Sequence, residues 1–257
     1  MTAPIVAVRL RALGDVVLTT AALRSLSLAF PEAPLHVVTE PRFAPLLEEQ
    51  PGITKVWSVP RTNLATFRTA FALRAFRPGL AVDFFGNSRS ALIARLSGAR
   101  AVWGYDMRGR GRLYHRTVPR VVHPGDDRRE YAAASLVRLA RAAGGADVSA
   151  FPHLELTERM RRTGEAALAR AGVSDPSRTV ALVPAGSWAT KTWPLANAAR
   201  LAIALREAGH PVVAIGGPGE EHVLARLSAL APGTPVLTAP DVAALAGAIA
   251  PLRALVG

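Results

Sequence analysis

Apolar blocks alternate with helix-patterned segments along the first half of the chain. Residues 5–10 form a largely apolar run with β-branched residues, interrupted only by Arg9, which is typical of a strand buried on both faces. After Gly14 and Asp15 the apolar spacing becomes helical. The pattern predicts further strands at 34–39, 53–59, 79–85 and 101–103, and helices at 41–49, 64–76 and 89–96. Strands that alternate with helices in this way predict a doubly wound parallel α/β sheet.

The alternation breaks at residues 104–124, which are rich in arginine and glycine and are predicted to form a mobile basic loop. Two helices, 130–143 and 157–171, follow the loop. The alternation then restarts with strands at 178–183, 211–215, 236–237 and 252–256, and helices at 195–208, 220–230 and 242–249. We therefore expect two α/β domains, residues 1–160 and 161–257. The second is expected to be incomplete, because the sequence ends where the loop after its last strand would begin.

Composition narrows the class of protein. Half of the 257 residues are hydrophobic, as in a folded globular protein. The absence of cysteine excludes disulfides and thiolate metal sites, and the six histidines show no ligand spacing, so no metal is predicted. No G-x-G-x-x-G follows the first strand, which argues against a nicotinamide or flavin enzyme, and no cofactor is expected. No leader segment and no apolar run of roughly 18 residues is present, so a cytoplasmic protein is predicted.

The charge is concentrated in the first half. Residues 1–150 carry 21 basic and 11 acidic side chains, a net +10 of the chain's formal +12. This balance favours a partner that bears phosphate or carboxylate, such as an anionic membrane surface or a phosphorylated substrate. A compositional bias toward arginine explains it equally well. Nucleic acid is not expected, because the basic residues are not interleaved with aromatic ones. Arg108 and Arg110, in the predicted loop, belong either to a solvated loop or to a lid that grips an anion.

Asp15 lies where the first strand passes into the first helix, a position at which open α/β sheets bind ligands. A carboxylate at this point is also expected as the N-cap or first-turn residue of the helix, worth about 0.5–2 kcal/mol. From the residues alone, both interpretations stay open.

Two stretches in the second half have the features of nucleotide-binding loops. Residues 184–194 combine small residues with Ser187, Thr190 and Lys191 between a strand and a helix, which resembles a phosphate cradle. Lys191 is one of only two lysines in the chain, which favours a need for a compact ammonium group there. Glu220 follows the glycine-rich residues 216–219 and either accepts hydrogen bonds from ribose or complements the helix dipole.

Five stretches, residues 9–20, 83–91, 104–106, 185–194 and 216–221, together resemble the ADP-heptose:lipopolysaccharide heptosyltransferase family, glycosyltransferase family 9. The resemblance implies a GT-B architecture of two Rossmann-like domains, with the acceptor on the first and the nucleotide-sugar on the second. It implies an inverting, metal-independent transfer of heptose from ADP-heptose to a sugar hydroxyl of the lipopolysaccharide core.

The resemblance also implies roles for individual residues. Asp15 would be the general base. Lys191, assisted by Ser187, would neutralise the diphosphate, and Glu220 would hold the ribose or adenine side of the donor. Thr190 is placed in the donor site with them. The acceptor, a phosphorylated glycolipid, is expected to contact the following residues: Arg9, Gly14, Asn87, Arg89, Arg108 and Arg110. For the cytoplasmic protein itself, peripheral contact with the anionic surface of the inner membrane is a further expectation.

One departure from the family limits this expectation. Family members continue with an Asn-Asp-Ser/Thr-Gly-Pro-x-His segment, and this sequence ends at Gly257 where that segment would start. We therefore expect weak or absent donor binding and transfer by these 257 residues alone. Two alternatives stay open: a family 9 enzyme with a different sugar or acceptor, and a non-catalytic protein that binds nucleotides or polyanions.

Overall fold

The computed structural model describes residues 3–107, 109, 111–120, 130–186, 192–217 and 219–257. The chain divides into two compact units, Met1–Glu155 and Leu156–Gly257. The division expected at 160/161 would cut through a helix, Glu158–Arg170, which lies wholly in the second unit. Thr157 caps this helix, because its hydroxyl accepts a hydrogen bond from the Met160 N–H at 3.2 Å.

The first unit contains a six-stranded sheet in which every pair of neighbours is parallel. Its strands are β1 Ile5–Val8, β2 Leu35–Thr39, β3 Lys55–Ser58, β4 Leu80–Asp83, β5 Ala101–Asp106 and β6 Arg116–Pro119, in the order β3-β2-β1-β4-β5-β6. Its helices are α1 Leu13–Ala29, α2 Ala44–Leu47, α3 Asn63–Arg74, α4 Ser88–Leu96 and α5 Ala132–Ala142. Strands β1, β2 and β4 are buried along their whole length, as the continuous apolar runs predict.

The prediction of a loop over residues 104–124 is wrong in part. Strand β5 continues to Asp106, and β6 pairs with it in parallel. Within β5, residue 104 is a glycine because a Cβ there would lie 2.5 Å from the ring of Tyr114. Only Val118 is buried in β6, so this strand has no alternating apolar pattern and depends on backbone pairing with β5. Arg108, Arg110 and residues 121–129 of the predicted loop lie outside the described residues.

The second unit contains a smaller parallel sheet of four strands. They are β7 Val180–Leu182, β8 Val212–Gly216, β9 Val236–Thr238 and β10 Ala254–Val256, in the order β10-β7-β8-β9. The helices are α6, the helix that Thr157 caps, with α7 Leu195–Glu207, α8 Glu221–Leu230 and α9 Val242–Ile249. Helices α6 and α9 touch backbone to backbone, since a Cβ on Gly247 would lie 1.8 Å from the Met160 carbonyl oxygen. Two doubly wound parallel sheets confirm the predicted fold class.

No helix in the part of the chain that the structure describes is both long enough and apolar enough to span a bilayer.

Candidate active site

The carboxyl edge of the first sheet brings together the loops that follow β1, β2, β3 and β4. Strand β1 pairs with β2 on one side and with β4 on the other, so the direction of winding changes beside it. In open parallel sheets, the crevice at such a switch point is where ligands bind. Asp15 is in the loop-to-helix segment that follows β1, at this crevice.

Arg9 and Asp15 form an ion pair at this point. Arg9 follows β1 directly, its side chain is buried, and its Nη2 pairs with the Asp15 carboxylate. Its Nη1 donates to the Phe84 carbonyl oxygen at 2.7 Å, and its guanidinium lies 5.1 Å from the centre of the Phe85 ring. Burial lowers the pKa of Arg9, and the neighbouring Asp15 carboxylate opposes that shift. Arg9 therefore ties the Asp15 carboxylate to the loop after β4.

Asp15 is not the N-cap of α1. That position is held by Ala12, which makes no side-chain cap, and Asp15 is the third residue of the helix. It is a first-turn residue, as the alternative interpretation expected, but its carboxylate faces Arg9 and remains 48% exposed. A half-exposed carboxylate with one fixed cationic partner still has oxygen lone pairs available to a ligand.

Gly14 lies beside Asp15 in the first turn of α1. Apart from its chain neighbours and the backbone of α1, a Cβ at Gly14 would meet no heavy atom within 4 Å, and the residue is exposed. Its φ is not among the positive values that favour glycine. Neither packing nor backbone conformation therefore explains a glycine here. The space outside the first turn of α1 is open at Gly14, and the side chain of the next residue, Asp15, is itself 48% exposed.

A polar pocket of about 280 Å³ lies at the same edge of the sheet; we call it the arginine pocket. It is lined by Arg11, Glu40, Arg61, Thr62, Asn63, Asn87 and Arg89. Two helices begin at this pocket. Thr62 caps α3 by accepting from the Ala65 N–H at 3.1 Å, and Asn87 caps α4 by accepting from the Ser90 N–H at 2.7 Å. Helix N-termini and guanidinium groups both favour anions, so the pocket suits a phosphate or a carboxylate.

Buried Glu40 organises the arginines of this pocket. Its Oε1 accepts from Arg61 Nε at 2.9 Å and from Arg89 Nη1 at 3.3 Å. Arg89 also donates to Thr66 Oγ1 at 3.0 Å, to the Val59 carbonyl oxygen at 2.9 Å and to the Pro60 carbonyl oxygen. Most of the Arg89 donors are therefore engaged in holding the β3–α3 loop.

Arg61 is the more accessible of the two arginines on Glu40. Its side chain is 55% exposed, against 21% for Arg89. Burial lowers the pKa of Arg89, Glu40 opposes the shift and Arg11 adds to it. Neither Arg61 nor Glu40 was predicted from the sequence as a site residue. Only their positions in the sequence could have identified them. Glu40 directly follows the predicted strand 34–39, and Arg61 lies two residues after the predicted strand 53–59.

Buried Asp83, the last residue of β4, fixes the turn that carries Asn87. It accepts four hydrogen bonds, from the Phe85 N–H at 2.9 Å, the Gly86 N–H at 3.0 Å, the Ser90 hydroxyl at 2.8 Å and the Tyr114 hydroxyl at 2.7 Å. Burial raises the pKa of Asp83, and the four donors oppose this shift. Because a buried carboxylate is stable only with such partners, Asp83 serves to position the β4–α4 turn.

In the second unit, Glu220 and Glu221 hold the glycine-rich turn after β8. Glu220 Oε2 accepts from the Gly217 N–H at 2.7 Å, and Glu221 Oε1 accepts from the Gly219 N–H at 3.1 Å. Backbone hydrogen bonds, from its own N–H and from that of Gly219, lower the pKa of Glu221. Both carboxylates therefore accept hydrogen bonds from the backbone of the turn, so neither interacts with the helix dipole alone. The other predicted donor residues, Ser187, Thr190 and Lys191, lie outside the described residues.

Residues 67–257 match the model of glycosyltransferase family 9 (heptosyltransferase). No curated protein gave a significant match. Among solved structures, a glycosyltransferase of family 9 from Veillonella parvula is similar, with a TM-score of 0.85 and 20% identity, over 99% of this chain and 76% of that one.

Two Escherichia coli structures are similar as well. ADP-heptose lipopolysaccharide heptosyltransferase II gives a TM-score of 0.79 at 18% identity, over 98% of this chain and 78% of that one. Heptosyltransferase WaaC, solved with ADP, gives 0.75 at 20% identity, over 98% and 80%. At these identities the structures support the fold, and the family model supports membership. The chain belongs to glycosyltransferase family 9.

Proposed function

We propose that this glycosyltransferase moves a heptose from ADP-heptose to a sugar hydroxyl of a phosphorylated lipopolysaccharide-core acceptor, with inversion and without a metal ion. The observation that carries the proposal is the Asp15 carboxylate, held by Arg9 at the switch point of the first sheet and open to solvent beside Gly14. The structure of WaaC with ADP-2-deoxy-2-fluoro heptose, similar to this chain with a TM-score of 0.72, supports an ADP-sugar as donor.

In the proposed step the acceptor hydroxyl oxygen attacks the anomeric carbon of the donor. The hydroxyl proton passes to the Asp15 carboxylate. The bond between the anomeric carbon and the β-phosphate oxygen breaks, and its electron pair leaves with ADP. A positioned general base contributes about 10²–10⁴-fold to such a reaction. Arg9 keeps the carboxylate in one orientation through the ion pair.

The departing diphosphate gains negative charge that a cation must stabilise. We assign the stabilisation of this negative charge to Lys191, with the hydroxyls of Ser187 and Thr190, rather than to a metal ion. Glu220 is assigned to the ribose or adenine side of the donor. Its carboxylate already accepts from the Gly217 N–H, which leaves the second oxygen for a ribose hydroxyl. Transfer that persists unchanged in EDTA is the expected result of this assignment.

The acceptor is assigned to the first unit. Arg9 and Gly14 border the base, and Asn87 and Arg89 line the arginine pocket with Arg61. Arg108 and Arg110 complete the proposed set from the β5–β6 connection. The exposed Arg61 has donors free of Glu40 to meet an acceptor phosphate, because only its Nε is used in the pair.

Asp15→Asn tests the proposal. Asparagine keeps an oxygen for Arg9 but cannot accept the proton, so the fold is expected to persist and the transfer rate to fall at least about 100-fold. The assay measures single-turnover transfer with enzyme in excess over acceptor, so that a slow rate of transfer can still be detected. The affinity for ADP is measured separately by calorimetry. Asp147→Asn is the matched control, since Asp147 is 75% exposed and pairs only with Arg141 among the contacts described.

Four outcomes separate the alternatives. Loss of transfer with unchanged ADP affinity supports Asp15 as the base. An unchanged rate removes Asp15 from the mechanism. ADP binding by the unmutated protein without transfer to any acceptor would favour a non-catalytic nucleotide-binding protein. Transfer from a different ADP-sugar would replace ADP-heptose as the donor and leave the proposed reaction mechanism unchanged.

A further inference from the structure

Helix α3 exposes an apolar ridge on the side that faces away from the core. Its buried side consists of Thr66, Ala70 and Leu73. On the outer side, Leu64 is 60% exposed, Phe67 is 42% exposed and Phe71 is 56% exposed. Large apolar side chains at spacings of three and four residues lie on one helix face, so these three residues form a single ridge. A contiguous exposed ridge of this kind marks an interaction surface.

Arginines border the ridge on both sides. At about 100° per residue, Leu64, Phe67 and Phe71 fall within an arc of about 60°. Arg68 lies beyond one edge of the arc and Arg74 beyond the other, and both residues are exposed. The outer face of α3 is therefore apolar along its centre and cationic along its edges, which is the pattern of a helix that lies in the interface of an anionic bilayer.

The stretch of chain that contains the ridge is strongly basic. Residues 50–105 contain eight basic side chains and one acidic side chain, a net +7 of the chain's +12. The acidic one is Asp83, which is fully buried and bonded inside the sheet. This stretch therefore supplies no exposed carboxylate to Arg68, Arg74 or Arg77, whereas Arg61 is paired with Glu40 of the β2–α2 loop. Anionic lipid attracts such a cluster by about 1 kcal/mol for each basic residue near the surface.

The ridge is continuous with the arginine pocket. Thr62 and Asn63, which begin α3, line that pocket, and Leu64 follows directly. A bilayer against α3 would thus lie next to the pocket at its first turn. This arrangement suits an acceptor whose sugar enters the site while its lipid stays in the membrane, a point that rests on the proposed function.

We propose that the outer face of α3 docks on an anionic lipid bilayer. Leu64, Phe67 and Phe71 enter the boundary between headgroups and acyl chains, and Arg68 and Arg74 contact lipid phosphates. A second copy of the chain fits the surface less well, because a two-fold contact through the ridge would bring identical arginine borders together.

Vesicle co-sedimentation tests the proposal with phosphatidylcholine vesicles that contain or lack phosphatidylglycerol. The protein is expected to bind the anionic vesicles, and to bind them less as salt rises. The triple variant Leu64→Ser, Phe67→Ser, Phe71→Ser is expected to bind at least about tenfold more weakly, because it loses apolar insertion. The double variant Arg68→Gln, Arg74→Gln is expected to lose about tenfold through charge.

The control variant Leu28→Ser, Phe151→Ser removes apolar side chains of similar exposure, 55% and 78%, elsewhere in the same unit. It is expected to bind vesicles as the unmutated protein does. Circular dichroism checks that each variant is folded.

Unchanged vesicle binding by the triple variant would overturn the proposal, as would equal binding to vesicles without anionic lipid. A dimer in sedimentation velocity that the ridge substitutions abolish, without any effect on vesicles, would assign the ridge to a second copy instead. Transfer to a soluble acceptor that lacks lipid is expected to be unchanged in the ridge variants. Failure of transfer and failure of membrane docking are thus read separately.

Discussion

Gly14→Ala is expected to stabilise the protein while it impairs transfer. The substitution adds one methyl group at the second position of α1, and apart from its chain neighbours and the backbone of α1 that group would meet no heavy atom within 4 Å. The backbone there is helical and its φ is not positive, so alanine adds no strain. Alanine loses less chain entropy than glycine on entering a helix, which is worth about 0.5–1 kcal/mol.

The gain in stability has a measurable size. For a unit of 155 residues, 1 kcal/mol corresponds to about 2–4 °C, so Tm should rise by about 1–4 °C. The matched control is the reverse change, Ala196→Gly, at the exposed second position of α7. It should lower stability by a similar amount, because the same helix position loses the same entropy advantage.

The loss of activity has a separate cause. In the proposed mechanism the acceptor hydroxyl reaches Asp15 across the first turn of α1, and the new methyl group would stand on that turn. A displacement of about 1 Å between reacting groups costs about 100-fold. We therefore expect kcat/KM for the acceptor to fall about 10- to 100-fold, with ADP affinity unchanged. A lower Tm would refute the packing argument, and an unchanged kcat/KM would refute the use of this space by the acceptor.

Two further predictions concern stability. Gly247→Ala would place a Cβ 1.8 Å from the Met160 carbonyl oxygen and force α6 and α9 apart; we expect a loss of about 1–3 kcal/mol or more in urea unfolding, and an unchanged midpoint would contradict the close helix contact. Burial, and secondarily the charge of Lys55, lower the pKa of His36, whose ring lies 6.0 Å from that of Trp57. Its contribution to the free energy of unfolding should therefore be complete above its ordinary pKa of about 6.5 and be lost as the pH falls through the lowered folded value, and His36→Gln should remove this part of the pH dependence.

The sequence by itself determined the succession of helices and strands, because that order is written in local patterns. Continuous apolar runs such as residues 5–8 mark strands covered on both faces, and the change of spacing after Asp15 marks the start of a helix. The helix predicted over 157–171 was readable in the same way, and α6 begins within one residue of that start, at Glu158. Strand β6 was missed because its stability comes from a partner strand and not from its own pattern.

Only the tertiary structure decided which polar side chains meet. Glu40 pairs with Arg61 and Arg89, which lie 21 and 49 residues further along the chain, because the strand order β3-β2-β1-β4 brings the ends of their strands together. The same order places Arg9 between Asp15 and Phe84, so that the carboxylate expected to cap a helix is held by a buried cation instead. Local periodicity encodes which face of an element is buried. It does not encode the pairing of charges, which depends on how the strands are ordered in the sheet.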